Sequence, residues 1–315
     1  MSRSVPSIIV LACAFALGAC AAPARSRGSG AFEASVAGSG MARLNARRYI
    51  VVNDTAAGAE GPRLGMLAVD GGRPPRYAEF AVDWESVGGR AGGLQALCAV
   101  PDRAGEFLTA EGVDSSGRSG RAFQFAIDRD AGGAATVRMI RAFPLPRLYG
   151  RLEGIAIGRA ANGALVLILG EAGDAGAPAK LSWGPLEMSE GSISFQIEGD
   201  LTAAAPWPGE AAGVRDCTDL VIDGQNRLWV VATAEAGGQG PFRSVIYRFG
   251  DFDPRRRRPM MSLDPLEPTW TLDGFRVRAA ALAPADDQAL CVLSDDGPLG
   301  GAWRSLARPR SVWDR

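Results

Sequence analysis

The chain of 315 residues contains no histidine, and lysine occurs once, at Lys180. The absence of imidazole excludes Ser-His-Asp and Cys-His nucleophilic systems in their usual form, and it excludes zinc sites with histidine ligands. The sequence also lacks a phosphate-binding GxxxxGK[ST] loop and a GxGxxG turn between a strand and a helix. Any chemistry must therefore use carboxylates, arginine, tyrosine, hydroxyl groups or a bound hard cation.

Cysteine is also scarce. Of the five cysteines, only Cys98, Cys217 and Cys291 lie beyond residue 30, and three scattered cysteines do not make a structural zinc site. Cys98 and Cys291 fall in strand-like runs, so we expect them to be buried as small apolar residues. A disulfide between Cys217 and Cys291 would suit an oxidising compartment, and the sequence leaves that pairing open.

Neither sign of charge is in excess. The chain has 34 basic and 35 acidic residues and a formal net charge of −1 at pH 7. A protein that binds nucleic acid through its phosphates normally carries a basic surplus, so we expect no nucleic acid partner.

The N-terminus predicts export and lipid anchoring. Arg3 is followed by the apolar run Ile8–Leu17, which is too short to span a bilayer and fits a secretory signal. The sequence Leu-Gly-Ala-Cys that ends at Cys20 resembles the lipobox of bacterial lipoproteins. We therefore expect a signal peptide at 1–19, lipidation of Cys20 and a flexible tether at 20–30. Ala21 favours the periplasmic side of the outer membrane as the location.

One pattern recurs about every 60 residues along the rest of the chain. Its clearest copy, residues 151–173, reads as a strand (Leu152–Ile157), a Gly/Asn turn, a second strand (Ala164–Leu169), and an acid followed by glycine. The other copies are residues 39–54, 95–112, 218–237 and 278–297.

Further strand-like runs follow most copies. Third strands are expected at Leu64–Val69, Arg121–Ile127, Lys180–Leu186, Ser244–Phe249 and Ala302–Leu306. Fourth strands are expected at Tyr77–Val82, Thr136–Phe143 and Ser192–Ile197. Four short antiparallel strands per repeat, without helical periodicity between them, indicate an all-β chain that folds as a single β-propeller of four-stranded blades at 31–315.

Five copies predict five blades, and six remain an alternative if one copy has diverged too far to be recognised. The last copy lacks a clear fourth strand. Phe32–Val36 is a strand-like run without a blade of its own. We expect this N-terminal strand to complete the last blade, which would close the ring and remove two open sheet edges.

The repeat also predicts a functional face. The first strand of a propeller blade is the innermost, so the residues that begin these strands should line the mouth of the central tunnel. These residues are Ser39, Gln95, Glu153, Thr218 and Arg278, with Asp219 one position further along. The loops between blades should add Trp84, Tyr149, Trp207, Trp270 and Phe275, and the Ala/Pro/Gly-rich segment Leu201–Gly213 lengthens one of these loops.

Each second strand runs into an acidic residue on the same face. These residues are Asp54, Glu111, Glu171, Glu235, and Asp295 or Asp296. Two interpretations stay open: an acid before glycine is a common way to begin a turn, whereas two or three acids together with backbone carbonyls could hold calcium.

The stretches SGMARL…YIVVNDT, LEGIAI…GALVLILGE and DLVIDGQNRLWVV resemble the bacterial extracytoplasmic propellers grouped around the esterase-like domain of phytase. The resemblance covers most of the chain, and its matching positions are Asn53-Asp54-Thr55 and Glu153-Gly154. It implies a propeller with acids and basic residues around calcium and phosphate. The chain departs from that pattern in having one lysine and no histidine.

Two functions follow from these observations. The first is a lipid-anchored propeller of the cell envelope that acts as a ligand-binding or scaffold module, with a small molecule or an envelope protein as the partner at its tunnel mouth. The second is a calcium-dependent phosphoesterase or esterase with Glu153, Asp54 and Arg278 near the chemistry, in which the metal would activate a water molecule.

Overall fold

In a computed structural model, the described residues are 29–32, 38–55, 59–70, 73–112, 120–129, 132–148, 150–173, 177–235, 240–284, 286–296 and 301–307. They form twenty-two strands and one 3₁₀ turn at Glu85–Val87. No helix in this part of the chain is long and apolar enough to cross a membrane. Cys20 and the predicted signal peptide lie outside the described residues.

The strands form five antiparallel sheets, which we number as blades 1 to 5. Strand β1 (Ser29–Phe32) comes first in the chain but belongs to blade 5. Blade 1 contains β2 (Gly38–Asn45), β3 (Arg48–Asn53), β4 (Leu64–Ala68) and β5 (Arg76–Glu79). Blade 2 contains β6 (Leu94–Ala99), β7 (Glu106–Glu111), β8 (Arg121–Arg129) and β9 (Ala135–Pro144).

The later blades have the same plan. Blade 3 contains β10 (Leu152–Arg159), β11 (Leu165–Glu171), β12 (Ala179–Met188), β13 (Ile193–Phe195) and β14 (Gly199–Ala203). Blade 4 contains β15 (Val214–Ile222), β16 (Arg227–Glu235), β17 (Phe242–Asp253), β18 (Arg258–Met261) and β19 (Pro268–Asp273). Blade 5 contains β20 (Val277–Ala283), β21 (Asp286–Asp295) and β22 (Gly301–Ser305), followed by β1.

The prediction of an all-β propeller with five blades is confirmed, and the alternative of six blades is wrong. Blades 3 and 4 differ from the plan because two short strands share the outermost position: β13 and β14 both pair with β12, and β18 and β19 both pair with β17. The segment Leu201–Gly213, expected to be a loop throughout, therefore begins inside β14.

The expected ring closure by an N-terminal strand is also confirmed. Strand β1 pairs antiparallel with β22, from Ser29 opposite Arg304 to Phe32 opposite Gly301. The closing strand lies earlier than the expected Phe32–Val36, and it begins within the range expected to be a tether. Residues 33–36 lie outside the described residues.

The residues that begin the five copies, Ser39, Gln95, Glu153, Thr218 and Arg278, are called the first column. The innermost strands of adjacent blades approach each other closely because a small residue follows the first column in four of the five copies. A Cβ atom added to Gly40 in blade 1 would lie 2.8 Å from the backbone nitrogen of Leu97 in blade 2. One added to Gly154 in blade 3 would lie 3.0 Å from the backbone of Asp219 in blade 4. Glycine at these two positions lets neighbouring blades pack backbone against backbone.

The apolar core lies between the blades, and two of the cysteines are buried in different parts of it. Cys217 packs in the cluster between blades 3 and 4, whereas Cys291 packs in the cluster between blades 5 and 1. Both are buried free thiols, and Cys98 is a half-buried free thiol. The disulfide left open by the sequence is therefore not formed, since its two cysteines lie in different parts of the core.

Candidate functional site

We define the tunnel mouth as the end of the central axis at which the innermost strands β2, β6, β10, β15 and β20 begin. The antiparallel order within each blade places the ends of the second strands at the same face. The hairpins that join third and fourth strands lie at the opposite face. This geometry brings the first-column residues together, but they divide into two groups with different contacts.

Three of the predicted residues meet across the axis. Arg278 in blade 5 donates hydrogen bonds from Nη2 to Gln95 Oε1 in blade 2, at 3.1 Å, and to Glu153 Oε2 in blade 3, at 3.0 Å. The side chains of Arg278 and Glu153 are only 5% and 1% exposed. We call these three residues the central plug, because together they link three blades across the tunnel.

The two hydroxyl residues of the column instead join neighbouring blades. Ser39 Oγ donates to the carbonyl oxygen of Leu94, the first residue of the next innermost strand. Thr218 Oγ1 donates to the carbonyl oxygen of Val277 at 3.1 Å, which makes the same connection between blades 4 and 5. Both side chains are buried, and both hydroxyl groups donate to backbone carbonyl oxygens.

Asp219 has a similar bridging position deeper in the tunnel. Its Oδ1 accepts the amide N–H of Leu220 at 2.8 Å, and its Oδ2 accepts that of Ala280 in blade 5 at 2.7 Å. Burial raises the pKa of the Asp219 carboxyl well above its usual range, although both amide hydrogen bonds and the charge of Arg278 oppose this shift.

The structure adds three arginines that the sequence analysis missed. Arg151 Nε lies 2.8 Å from Glu153 Oε1, and Arg215 Nη1 lies 3.4 Å from the same oxygen. Arg215 Nη2 and Arg276 Nε then contact Glu235 at 2.9 and 3.2 Å. Arg151 Nη2 also reaches Asp54 Oδ2 at 2.9 Å. The tunnel mouth thus gathers several arginines, where the sequence had suggested one.

These ion pairs form one network, the mouth network. Its guanidinium groups belong to Arg151, Arg215, Arg276 and Arg278, and its carboxylates to Asp54, Glu153 and Glu235.

The exposure of the mouth network is uneven. The side chain of Arg151 is 42% exposed and that of Arg215 is 26% exposed, whereas Glu153 beneath them is 1% exposed. Burial lowers the pKa of Arg215, and the carboxylate of Glu153 opposes this shift. The solvent-facing part of the mouth network therefore contains the guanidinium groups of Arg151 and Arg215 together with the Asp54 carboxylate, which is 34% exposed, whereas Glu153 is turned inward.

The acids that end the second strands have a recurring structural role. Glu111 Oε1 accepts the amide N–H of Gly92 at 2.7 Å, just before β6. Glu171 Oε2 accepts that of Gly150 at 2.6 Å, just before β10. In blade 5, Asp296 makes the equivalent contact with the amide of Arg276 at 2.7 Å. In three blades, therefore, this acid holds the chain in place where the innermost strand begins.

The candidate calcium ligands Asp54, Glu111, Glu171, Glu235 and Asp295 lie on five different blades. Within the described ranges, no three acidic or cysteine side chains are grouped closely enough to hold a metal ion. Calcium binding stays a prediction.

Three of the aromatic residues expected at the mouth pack against other side chains of the blades. Trp84 packs edge-on against Phe123 with ring centroids 5.5 Å apart, and Trp270 lies 5.2 Å from Trp229. Trp207 packs against the core cluster between blades 3 and 4. The remaining two differ: Phe275 lies under the Arg304 guanidinium, 3.7 Å from ring centroid to Cζ, and Tyr149 lies outside the described residues.

Beyond the central plug, the tunnel widens into a mostly apolar cavity of about 260 Å³. Met41, Leu97, Ile157, Ile222 and Leu282 line it towards the face opposite the mouth. Alanines at neighbouring positions of the innermost strands leave this space open.

No protein-family model matches the sequence, and no curated protein matches it. Among solved structures, the chain is similar to the exo-1,5-α-L-arabinanase from a bovine ruminal metagenomic library, with 11% identity over 87% of this chain and 94% of that chain and a TM-score of 0.46. It is also similar to a putative exo-β-1,3-galactanase from Bifidobacterium bifidum s17, with 7% identity, coverage of 90% and 92%, and a TM-score of 0.49.

A third similar structure is a putative oxidoreductase (glucose dehydrogenase) from Thermus thermophilus, with 13% identity, coverage of 89% and 100%, and a TM-score of 0.43. Such low identities and TM-scores support no inference about activity. The architecture of this chain is shown by its own strand pairing: it is a five-bladed β-propeller.

Proposed function

We propose that the protein is a lipid-anchored β-propeller of the cell envelope that binds a small oxyanion, carboxylate or phosphate, at its tunnel mouth. The observation that carries this proposal is the exposure of Arg151 and Arg215 above the buried Glu153. Arginine matches carboxylate and phosphate groups with two parallel hydrogen bonds. A ligand at this place would add acceptors to a centre that has four guanidinium groups and three carboxylates.

The binding test uses thermal unfolding in the presence of succinate, citrate or inorganic phosphate, with chloride at equal ionic strength as the reference. A bound oxyanion stabilises the folded state by about 2.7 kcal/mol at 100 times its Kd, which raises the melting temperature by several degrees. We expect Arg151→Gln and Arg215→Gln to lose this stabilisation, because each removes a guanidinium group that solvent reaches.

Arg138→Gln is the matched control, because it removes an exposed arginine that pairs with Asp128 away from the mouth. This control should keep the full rise in melting temperature that the oxyanion causes. The proposal fails if no oxyanion stabilises the protein, or if both mouth variants respond as the control does.

The alternative function, a calcium-dependent phosphoesterase or esterase, is favoured by the sequence stretches Asn53-Asp54-Thr55 and Glu153-Gly154. The same unfolding assay separates it from simple binding. Stabilisation by calcium that EDTA reverses, together with hydrolysis of a nitrophenyl phosphate or ester, would favour the enzyme. Stabilisation by oxyanions without a calcium effect favours the binding module.

Lipid anchoring is tested by Cys20→Ser. The variant removes the thiol that would carry the lipid, so we expect it to leave the membrane fraction and to lose palmitate labelling. Ala21→Ser keeps the cysteine and should behave as the unchanged protein. A Cys20→Ser protein that remains membrane-bound and labelled would rule out the anchor.

A further inference from the structure

The face opposite the tunnel mouth carries both the start of the closing strand and a strongly basic hairpin. Strand β1 runs antiparallel to β22, so Ser29 lies at this face and Phe32 lies towards the mouth. Strand β17 ends at the same face at Asp253, and its turn leads into β18 at Arg258. Blades 4 and 5, which carry these two features, are neighbours in the ring.

The turn itself is the sequence Arg-Arg-Arg-Arg at Arg255–Arg258, which we call the basic hairpin. Asp253 Oδ1 accepts the amide N–H groups of Arg255 and Arg256 at 2.8 and 3.1 Å, which shapes the turn. Next to it, the buried Phe252 packs on Gly158 of blade 3. The chain before the turn is therefore fixed to the propeller, and the arginines extend from an ordered base.

Several other arginines of this face have an acidic partner, whereas most of the basic hairpin does not. Arg76, Arg138, Arg159 and Arg248 pair with Asp70, Asp128, Asp102 and Asp251. All four side chains of the basic hairpin are exposed, and within the described part of the chain only Arg256 has an ion-pair partner, Asp253 at 3.6 Å. The basic hairpin thus concentrates unneutralised positive charge at one place.

The position of Cys20 in the sequence limits how far this face could lie from a membrane. Cys20 precedes Ser29 by nine residues, and even a fully extended chain of that length spans no more than about 32 Å. A lipid on Cys20 would therefore hold the face that carries Ser29 and the basic hairpin near the bilayer surface. Attraction between arginines and anionic headgroups acts over about one Debye length, roughly 8–10 Å. A tether of this length lets the basic hairpin come within that distance of the headgroups.

We propose that the basic hairpin docks on an anionic lipid surface, which turns the tunnel mouth away from the membrane. The orientation rests on the lipid anchoring proposed above, whereas the docking itself is a property of the folded propeller. Guanidinium groups near such a surface each add about fivefold in affinity, so three or four together give measurable binding without a lipid anchor.

The test uses the chain from residue 21 onward, which keeps every residue that the structure describes and has no lipid. It is sedimented with vesicles of phosphatidylcholine alone, or with about 30% phosphatidylglycerol added as the anionic lipid. We expect binding to the anionic vesicles only, with weaker binding as salt rises. Replacing Arg255, Arg256 and Arg258 together with glutamine should lower the affinity by about 100-fold.

The matched control replaces Arg90, Arg147 and Arg243 with glutamine, since this removes the same charge from the mouth face. It should bind anionic vesicles as the unchanged chain does. The proposal is overturned if the chain binds neither vesicle, or if both triple variants bind equally. Because the assay contains no lipidated protein, its outcome is independent of whether Cys20 carries the anchor.

Discussion

Replacing Arg278 with methionine is expected to lower the free energy of unfolding by about 3 kcal/mol, the lower end of the range for breaking a buried ion pair. The substitution leaves Glu153 Oε2 without its partner at 1% exposure, and Gln95 loses a hydrogen bond across the tunnel. The loss is not larger because Arg151 and Arg215 still contact the other oxygen of Glu153. Urea unfolding followed by tryptophan fluorescence measures it.

A double-mutant cycle that combines Arg278→Met with Glu153→Gln tests whether the loss of stability comes from the contact between these two side chains. Because the two side chains contact each other, their effects should be non-additive by about 0.5–3 kcal/mol. As a control, Arg138→Met breaks an exposed pair with Asp128 and should cost less than about 1 kcal/mol. Additive effects in the cycle, or a loss at Arg278 no larger than the control's, would contradict a structural role for the central plug.

Removing the closing strand should have an effect of comparable size. A chain that starts at Gly38 lacks β1, and β22 then becomes an open edge. Four residue pairs join the two strands, and at about 0.5–1.5 kcal/mol for each hydrogen bond their loss costs about 2–6 kcal/mol. This is a large part of the roughly 5–15 kcal/mol that is typical of a folded domain. Thermal and urea unfolding both measure the difference.

A chain that starts at Ser29 is the control, because it keeps β1 and should be as stable as the longer protein. Equal stability of the chains that start at Ser29 and at Gly38 would mean that residues after Leu306 complete blade 5 instead.

The number and order of the blades could be predicted because each copy of the repeat is recognisable from residues that are close together in the sequence. Short apolar strands between glycine-rich turns recur in the same order in each copy. In a propeller, residues at the same position of each copy lie at the same level along the central axis. The closing strand was harder to place, because β1 has only four residues and its partner lies at the other end of the chain.

The composition of the tunnel mouth could be predicted only in part. Gln95, Glu153 and Arg278 share a column, so their meeting across the axis follows from the repeat. Arg151 and Arg276 lie two residues before that column, and Arg215 lies three before it. An arginine two or three residues before the column in three of five copies was a visible signal. The direction of its side chain, however, depends on how the chain enters the innermost strand, which differs between copies.

The two interpretations of the acidic residues could not be separated without the backbone. Glu111 and Glu171 accept amide N–H groups from glycines that lie about twenty positions earlier in the chain. Nothing in the local sequence shows that these glycines lie beside the acids, because the contact depends on how the first and second strands pair.

The pairing of β1 with β22 also bears on how the protein is made. The first of the described strands to be synthesised completes the blade whose other strands come last among them. Joining such distant segments carries a loop-closure cost that is recovered only when the ring is complete, so blade 5 forms late. During synthesis, β1 and the edges of the early blades stay unpaired until the final residues arrive, which makes the period before closure the time of greatest exposure to aggregation.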